Sequence, residues 1–405
     1  MNEVLESAAK DFGTPLYLYF ADKIRERARL LKSALGVYEK CEFLYAIKAN
    51  FNPHLVKLIA SEGFGVDAVS LEEVKMAFCS GVSADKIMYT ENNMTDFEMQ
   101  KAHEMGILIN FNSLYRLRKF GEQFRGSRVC VRFNPNVGAA SHATNITGGA
   151  GSKFGISQDL LGEVLDLVRE FDLKLVGIHQ HIGSGWLRTL EPKLAMEASC
   201  GVALEILKKG FGENLEFVDF GGGFGIPYKD EDEDLDLSSL GEFFTEKMRA
   251  LNEAFGREIT LKFEPGRFLV AESGVLLSEI TAIKKESDER IYLGLDTGMN
   301  HLARVAMYGS YHPIEVLNDS SQMETYDVCG NICECADFFA KGRLLKKAKE
   351  GDLVAIKKVG AYGMAMANNY QFRSRPMEVL YEGGEFRVIR KRGSFEESLG
   401  VFGEI

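Results

Sequence analysis

Short apolar runs of β type recur along the chain with helical stretches between them, and this alternation predicts an α/β fold. Eight such runs stand at 43–49, 65–70, 87–90, 107–111, 128–134, 174–181, 215–220 and 261–264. Eight is the strand number of a closed (β/α)8 barrel. Between the fifth and sixth, Leu161, Val164, Leu165 and Val168 recur at i, i+3, i+4 and i+7, with Glu163, Asp166 and Arg169 off that face. The spacing predicts a helix packed on the outside of the barrel. After about residue 273 the pattern changes to strands and turns, at 274–284, 290–295 and 353–359, with a hairpin over 377–392 reversing at Glu382, Gly383 and Gly384. A second, mainly β domain of Greek-key, sandwich or barrel type is predicted there, and the run 15–20 can join its sheet. The expected organisation is a barrel domain over 24–273 and a β domain built from 1–23 and 274–405.

Composition narrows the classes. The 405 residues are 45% apolar and 26% charged, which excludes disordered, collagen-like and coiled-coil chains. With 48 basic and 59 acidic side chains, a net charge of −11 argues against a phosphate-tracking nucleic-acid surface. The first fourteen residues include Glu3, Glu6 and Asp11 and no apolar signal core, and no run approaches the roughly 18 apolar residues of a spanning helix. A cytoplasmic protein with no membrane partner is expected. Seven cysteines, at 41, 79, 130, 200, 329, 333 and 335, form an odd set suited to a reducing compartment. Cys333 and Cys335 lack companions at zinc spacing. The acidic run 230–236 has no turn glycine of the EF-hand type and reads as a solvated loop.

Candidate chemistry lies at the strand ends. Lys48, Asp67, Arg132, His181, Gly221, Gly222, Gly223, Glu264 and Arg267 all fall at or just past C-terminal ends of the eight runs, which converge on one mouth in a barrel. A lysine ending an apolar strand is partly desolvated and suited to forming a Schiff base, although a snorkelling lysine leaves the same pattern. The three glycines let backbone N–H groups close on a phosphate, as a tight turn also would. A carboxylate at Glu264 can keep a pyridine nitrogen protonated, and Arg267 can take a phosphate or carboxylate in bidentate fashion, against the alternative of a surface ion pair. His179 and His181 share one strand face, which allows two metal ligands or one ring-stacking imidazole. No carboxylate cluster lies nearby in sequence, so no metal is expected. Together these groups point to pyridoxal phosphate.

The motifs YAIKAN, HIGSG, GGG, EPGRFLVAESGVLL, MNHLARVAMYGSYH and GAYGMAMANNY, with TNITGGAGSKFGI at 144–156, strongly resemble the fold-type III pyridoxal-phosphate decarboxylases, most closely the diaminopimelate decarboxylase family. The resemblance covers nearly the whole chain. It implies that Lys48 carries the cofactor, that His181 stacks on its ring, and that Ser184, Gly221, Gly222, Gly223, Gly266 and Arg267 surround the phosphate. Glu264 would pair the pyridine nitrogen, with Asp67 and Arg132 as supporting polar residues. It further implies substrate contacts from Arg267, Arg304, Tyr308 and Glu334, with Tyr362 touching cofactor and substrate and Cys333 donating a proton. In that family Cys333 and Glu334 reach the partner subunit's cofactor, so a homodimer with shared active sites is implied.

The chain departs from the family pattern in places. The usual C-E-S-G-D reads Cys333-Glu334-Cys335-Ala336-Asp337, preceded by Gly330-Asn331 in place of Gly-Pro. His301 stands where an acidic residue is common, and Gln371-Phe372 replaces a shorter step before Ser374-Arg375-Pro376. A pyridine held protonated is an electron sink that suits decarboxylation. Arg304 is placed by the resemblance to meet a distal carboxylate and Glu334 its adjacent ammonium, so the expected reaction is meso-2,6-diaminopimelate to L-lysine and CO2. The alternatives are a decarboxylase of another amino acid (lysine, ornithine or a secondary-metabolism substrate) or a regulatory relative without catalysis.

Overall fold

The alternating runs close into a ring. The computed structural model describes residues 1–140, 146–287 and 290–403; Thr144 and Asn145 of the TNITGGAGSKFGI motif lie outside the described residues. Eight parallel strands, β1 (Cys41–Ala46), β2 (Gly65–Ala68), β3 (Ile87–Thr90), β4 (Leu108–Phe111), β5 (Arg128–Asn134), β6 (Lys174–His179), β7 (Phe217–Asp219) and β8 (Thr260–Phe263), pair in sequence order. Pairing of Leu261 with Cys41 joins β8 back to β1 and removes both sheet edges. The strands end earlier than the apolar runs: Lys48 sits in a single turn of 3-10 helix, Ile47–Ala49, and His181 lies two residues beyond β6.

Leu44, Met88, Cys130 and Phe217, from the odd-numbered strands, share one buried cluster with Val176. Such a layer is the way a barrel of this size fills its interior. Gly177 is required there, because a Cβ on it would lie 2.0 Å from the Phe217 ring. The helix Leu161–Glu170 buries the four apolar residues that predicted it, together with Leu167. This barrel unit comprises 25–227 and 233–268.

The other unit comprises 1–24, 228–232 and 269–405. Its strand Leu16–Phe20 joins the sheet as expected, antiparallel to Gly274–Ser287 and parallel to Met377–Glu382. The hairpin returns through Glu385–Arg390. Five further strands, Arg290–Leu295, Ile314–Leu317, Met323–Cys329, Phe338–Lys346 and Leu353–Lys357, complete the nine-stranded sheet, and an unpredicted helix, Asn2–Phe12, packs Leu5, Ala8 and Ala9 against Leu16, Leu18, Val275, Leu277 and Val379. Among the described residues no helix is long and apolar enough to cross a membrane.

Candidate active site at the barrel mouth

Each barrel strand alternates its side chains in and out, so the last inward position of every strand lies at one level. Polar groups occupy that level. Lys48 Nζ donates to Asp67 Oδ2 at 2.6 Å, Thr90 Oγ1 donates to Asp67 Oδ1 at 3.1 Å, and Asn110 Nδ2 donates to Thr90 Oγ1 at 3.3 Å. The chain of bonds spans β1 to β4. Asp67 is 1% exposed in its side chain while Lys48 keeps 34%, so the lysine is less desolvated than a strand-end position suggests and is held by its ion pair instead. Arg132 of β5 is buried, which lowers its pKa to about 10, and donates to the His181 carbonyl at 3.4 Å.

On the opposite arc, His179 Nε2 and Glu264 Oε2 share a hydrogen bond of 3.1 Å, with both side chains almost wholly buried. Asp219 completes the group: one ligand atom from each of the three lies within 4.8 Å of the others, the one such grouping among the described residues. The electrostatics make this a proton-holding cluster. Burial, reinforced by the Glu264 charge, pushes Asp219 up to about 8; burial also lifts Glu264 well above the ordinary carboxylate range, with Asp67 adding to the effect. His179 falls to about 4 by burial and is neutral. Two buried carboxyls this close do not both ionise.

The glycine triplet is fixed by close backbone approach. A Cβ on Gly222 would lie 2.0 Å from the Glu264 carbonyl oxygen, and Gly223, at φ +96°, would meet the Gly183 oxygen at 2.0 Å. The loop after β7 is thereby packed between those after β6 and β8, and Glu264 N–H donates to the Gly221 carbonyl at 2.8 Å. Arg267 Nη2 donates to Ser184 Oγ at 3.0 Å, which joins two residues expected at a phosphate. His181 is held by the Gly183 N–H, which donates to its Nδ1 at 3.1 Å. Burial and the Arg132 charge depress its pKa well below the usual histidine value, so the ring is neutral and carries its proton on Nε2.

The structure therefore brings Lys48, Asp67, Arg132, His181, Ser184, Gly221, Gly222, Gly223, Glu264, Gly266 and Arg267 into one barrel unit. Thr90, Asn110 and Asp219 were not singled out by the sequence, and His179 was read only as a metal or stacking alternative; a lone polar residue at an apolar strand's end was the available signal. Arg304, Tyr308, Cys333, Glu334 and Tyr362 belong to the other unit. There, Arg304 is buried and donates from Nη1 to Tyr228 Oη at 3.2 Å. Tyr370 donates to Glu334, Tyr362 adopts φ +57°, and Cys333 and Cys335 are exposed.

The altered loop is organised by Asp337. Its carboxylate accepts from Met299 N at 2.6 Å and Ile332 N at 2.7 Å. Ala336 has an ordinary negative φ, so glycine is not needed there. His301 is buried and bridges Thr297 Oγ1 at 2.9 Å to the Ser374 carbonyl at 3.1 Å.

A pyridoxal cofactor needs a lysine, a phosphate cradle and a partner for its ring nitrogen. The telling fit is Glu264 Oε1, a buried carboxyl oxygen with no hydrogen-bond partner among the described residues, of the kind that is costly unless something completes it. A closed parallel barrel with this set at its C-terminal mouth defines the class of pyridoxal-dependent decarboxylases. Residues 21–271 match the family described as "Pyridoxal-dependent decarboxylase, pyridoxal binding domain". Over 96% of its length the chain is 40% identical to diaminopimelate decarboxylase of Methanothermobacter thermautotrophicus, covering 92% of that protein. Among solved structures, diaminopimelate decarboxylase of Helicobacter pylori complexed with L-lysine is similar with a TM-score of 0.90 at 31% identity, covering 98% of each chain. The M. jannaschii enzyme in co-complex with L-lysine gives 0.91 at 30%, covering 99% of this chain and 94% of that one. The chain belongs to the diaminopimelate decarboxylase family, and its cofactor is pyridoxal phosphate.

Proposed function

We propose that this chain decarboxylates meso-2,6-diaminopimelate to L-lysine and CO2. The buried, uncompleted Glu264 Oε1 beside a proton-holding cluster carries the reading, together with family membership. Bound pyridoxal phosphate supplies the electron sink for loss of CO2. Lys48 anchors the cofactor and is positioned by Asp67. His181, neutral and fixed at Nδ1, would stack on its ring; Ser184, Gly221, Gly222, Gly223, Gly266 and Arg267 would take its phosphate. Glu264 would keep the ring nitrogen protonated, with Asp67 and Arg132 in support. Arg267, Arg304, Tyr308, Glu334 and Tyr362 contact substrate, Arg304 meeting the distal carboxylate as a charge-assisted pair. Cys333 returns a proton to the α-carbon. CO2 release from a panel of diaminopimelate isomers, lysine, ornithine and arginine tests the assignment. Release from the meso isomer alone is expected; turnover of lysine or ornithine but not diaminopimelate refutes it.

We also propose a homodimer in which Cys333 and Glu334 reach the partner's cofactor. The exposed Cys333 thiol supports this, as do the exposed apolar side chains of Tyr370, Phe372, Phe395, Val401 and Phe402, because exposed apolar surface marks sites of association. If sites are shared, mixing inactive Lys48→Ala with inactive Cys333→Ala and allowing subunits to exchange should restore about a quarter of normal activity, through mixed dimers with one intact site. No recovery after demonstrated exchange would place both residues in the same subunit's site.

A further inference from the structure

His312 is wholly buried, and the reaction as described above makes no use of it. It lies two residues before the strand Ile314–Leu317, whose antiparallel register with Leu353–Lys357 fixes the neighbouring backbone. The Lys357 N–H donates to the Pro313 carbonyl at 2.8 Å. One residue earlier, the imidazole Nδ1 lies 3.0 Å from the Lys357 carbonyl. A carbonyl only accepts, so Nδ1 carries the proton and Nε2 presents a lone pair. That lone pair faces Arg304, whose Nη1 lies 3.1 Å away. Nη1 also donates to the Tyr228 hydroxyl at 3.2 Å, and the Tyr228 ring meets the imidazole edge-on at 5.3 Å.

These two acceptors are uncharged. A carboxylate at the place of His312 would orient the guanidinium equally well but would also bring a negative charge that competes with an incoming carboxylate. An imidazole locked in its Nδ1–H tautomer orients the guanidinium without adding a negative charge of its own. The same acceptor lowers the cost of burying that cation, because a guanidinium has only donors to satisfy.

We propose that His312 is a positioning residue for substrate specificity: from a fixed tautomer it holds Arg304 in the orientation that receives a distal carboxylate, without cancelling its charge. The inference rests on the reading of Arg304 as the distal-carboxylate contact.

Two substitutions separate the two ring nitrogens. His312→Asn keeps a donor at the δ position for the Lys357 carbonyl but cannot reach Arg304; His312→Gln places an amide oxygen at the ε position, where it can accept from Nη1. In the holoenzyme, His312→Asn should raise KM for diaminopimelate roughly ten- to a hundredfold, the value of a hydrogen bond to a charged group. Its kcat should stay within about threefold, because binding lost equally in ground and transition states leaves kcat alone. His312→Gln should recover most of the affinity. The Ki of cadaverine, which has both amino groups but neither carboxylate, should be unchanged in both, whereas that of L-lysine, which keeps the distal carboxylate, should rise with the KM in His312→Asn. An unchanged KM in a His312→Asn enzyme that melts like the parent overturns the proposal, as does an equal rise in the cadaverine Ki or a loss confined to kcat. If His312→Asn does not fold, His312→Gln decides on the same terms: parent-like KM for diaminopimelate and Ki for cadaverine support the proposal, and a rise in both overturns it. Arg304→Ala is the control for the underlying reading: if its KM is normal, Arg304 is not the contact; if it rises while His312→Asn does not, only the role of His312 fails.

Discussion

Replacing Lys48 by alanine is expected to lower CO2 release by at least about a thousandfold, within the range that a positioned proton-transferring or nucleophilic side chain supplies. Borohydride should then no longer fix the cofactor to the chain. The alanine variant alone is ambiguous, because it also strips the buried Asp67 carboxylate of its 2.6 Å partner and so disturbs the bonds through Thr90 and Asn110. Lys48→Arg resolves this. An arginine keeps a cation against Asp67 and the stability that goes with it, yet its guanidinium does not condense with an aldehyde. The arginine variant should melt close to the parent and be as inactive as the alanine variant. Activity within about tenfold of the parent in Lys48→Arg would mean that the lysine is only the ion-pair partner of Asp67.

Glu264→Gln should cost about a hundred- to a thousandfold in kcat, the size seen when one preorganised electrostatic group is removed from a reacting centre. The side chain is 3% exposed, so water cannot substitute for it. Glutamine fills the same volume and can still accept at one oxygen from His179 Nε2. Its amide nitrogen, however, donates to a ring nitrogen without supplying the charge that keeps that nitrogen protonated. The 15N chemical shift of ring-labelled cofactor reports this apart from the rate: protonated in the parent, unprotonated in Glu264→Gln. A protonated signal in the variant would assign the role to another group, and Asp219, pushed up to about 8, is the neighbour to test next.

The barrel was legible because each of its strands is a compact apolar run and several of the runs end on a conspicuous residue, such as Lys48, Asp67, Arg132 or Glu264. The β unit was less so. Met323–Cys329 and Phe338–Lys346 carry charges along much of their length, and only part of each is buried; their pairing with each other is what makes them strands. The helix Asn2–Phe12 was hidden by its acidic residues, though Leu5, Ala8 and Ala9 mark its buried face. At the site, individual residues could be read but not their associations. His179 and Glu264 are separated by 85 positions and meet only because β6 and β8 both flank β7. Arg304 and His312 are near in sequence, yet their contact depends on the strand pairing that fixes Lys357.

The backbone contact between Gly222 and Glu264 has a consequence for which cofactors can seat. The loop proposed for the phosphate and the carboxylate proposed for the ring nitrogen are one rigid piece, clasped by the Glu264 N–H to Gly221 carbonyl bond and packed so tightly that not even a methyl group fits between them. The two ends of the cofactor are thus measured against a single gauge of set length. A ligand whose phosphate arm is longer or shorter by one atom has to forfeit one end to satisfy the other, so the barrel discriminates by span as well as by charge.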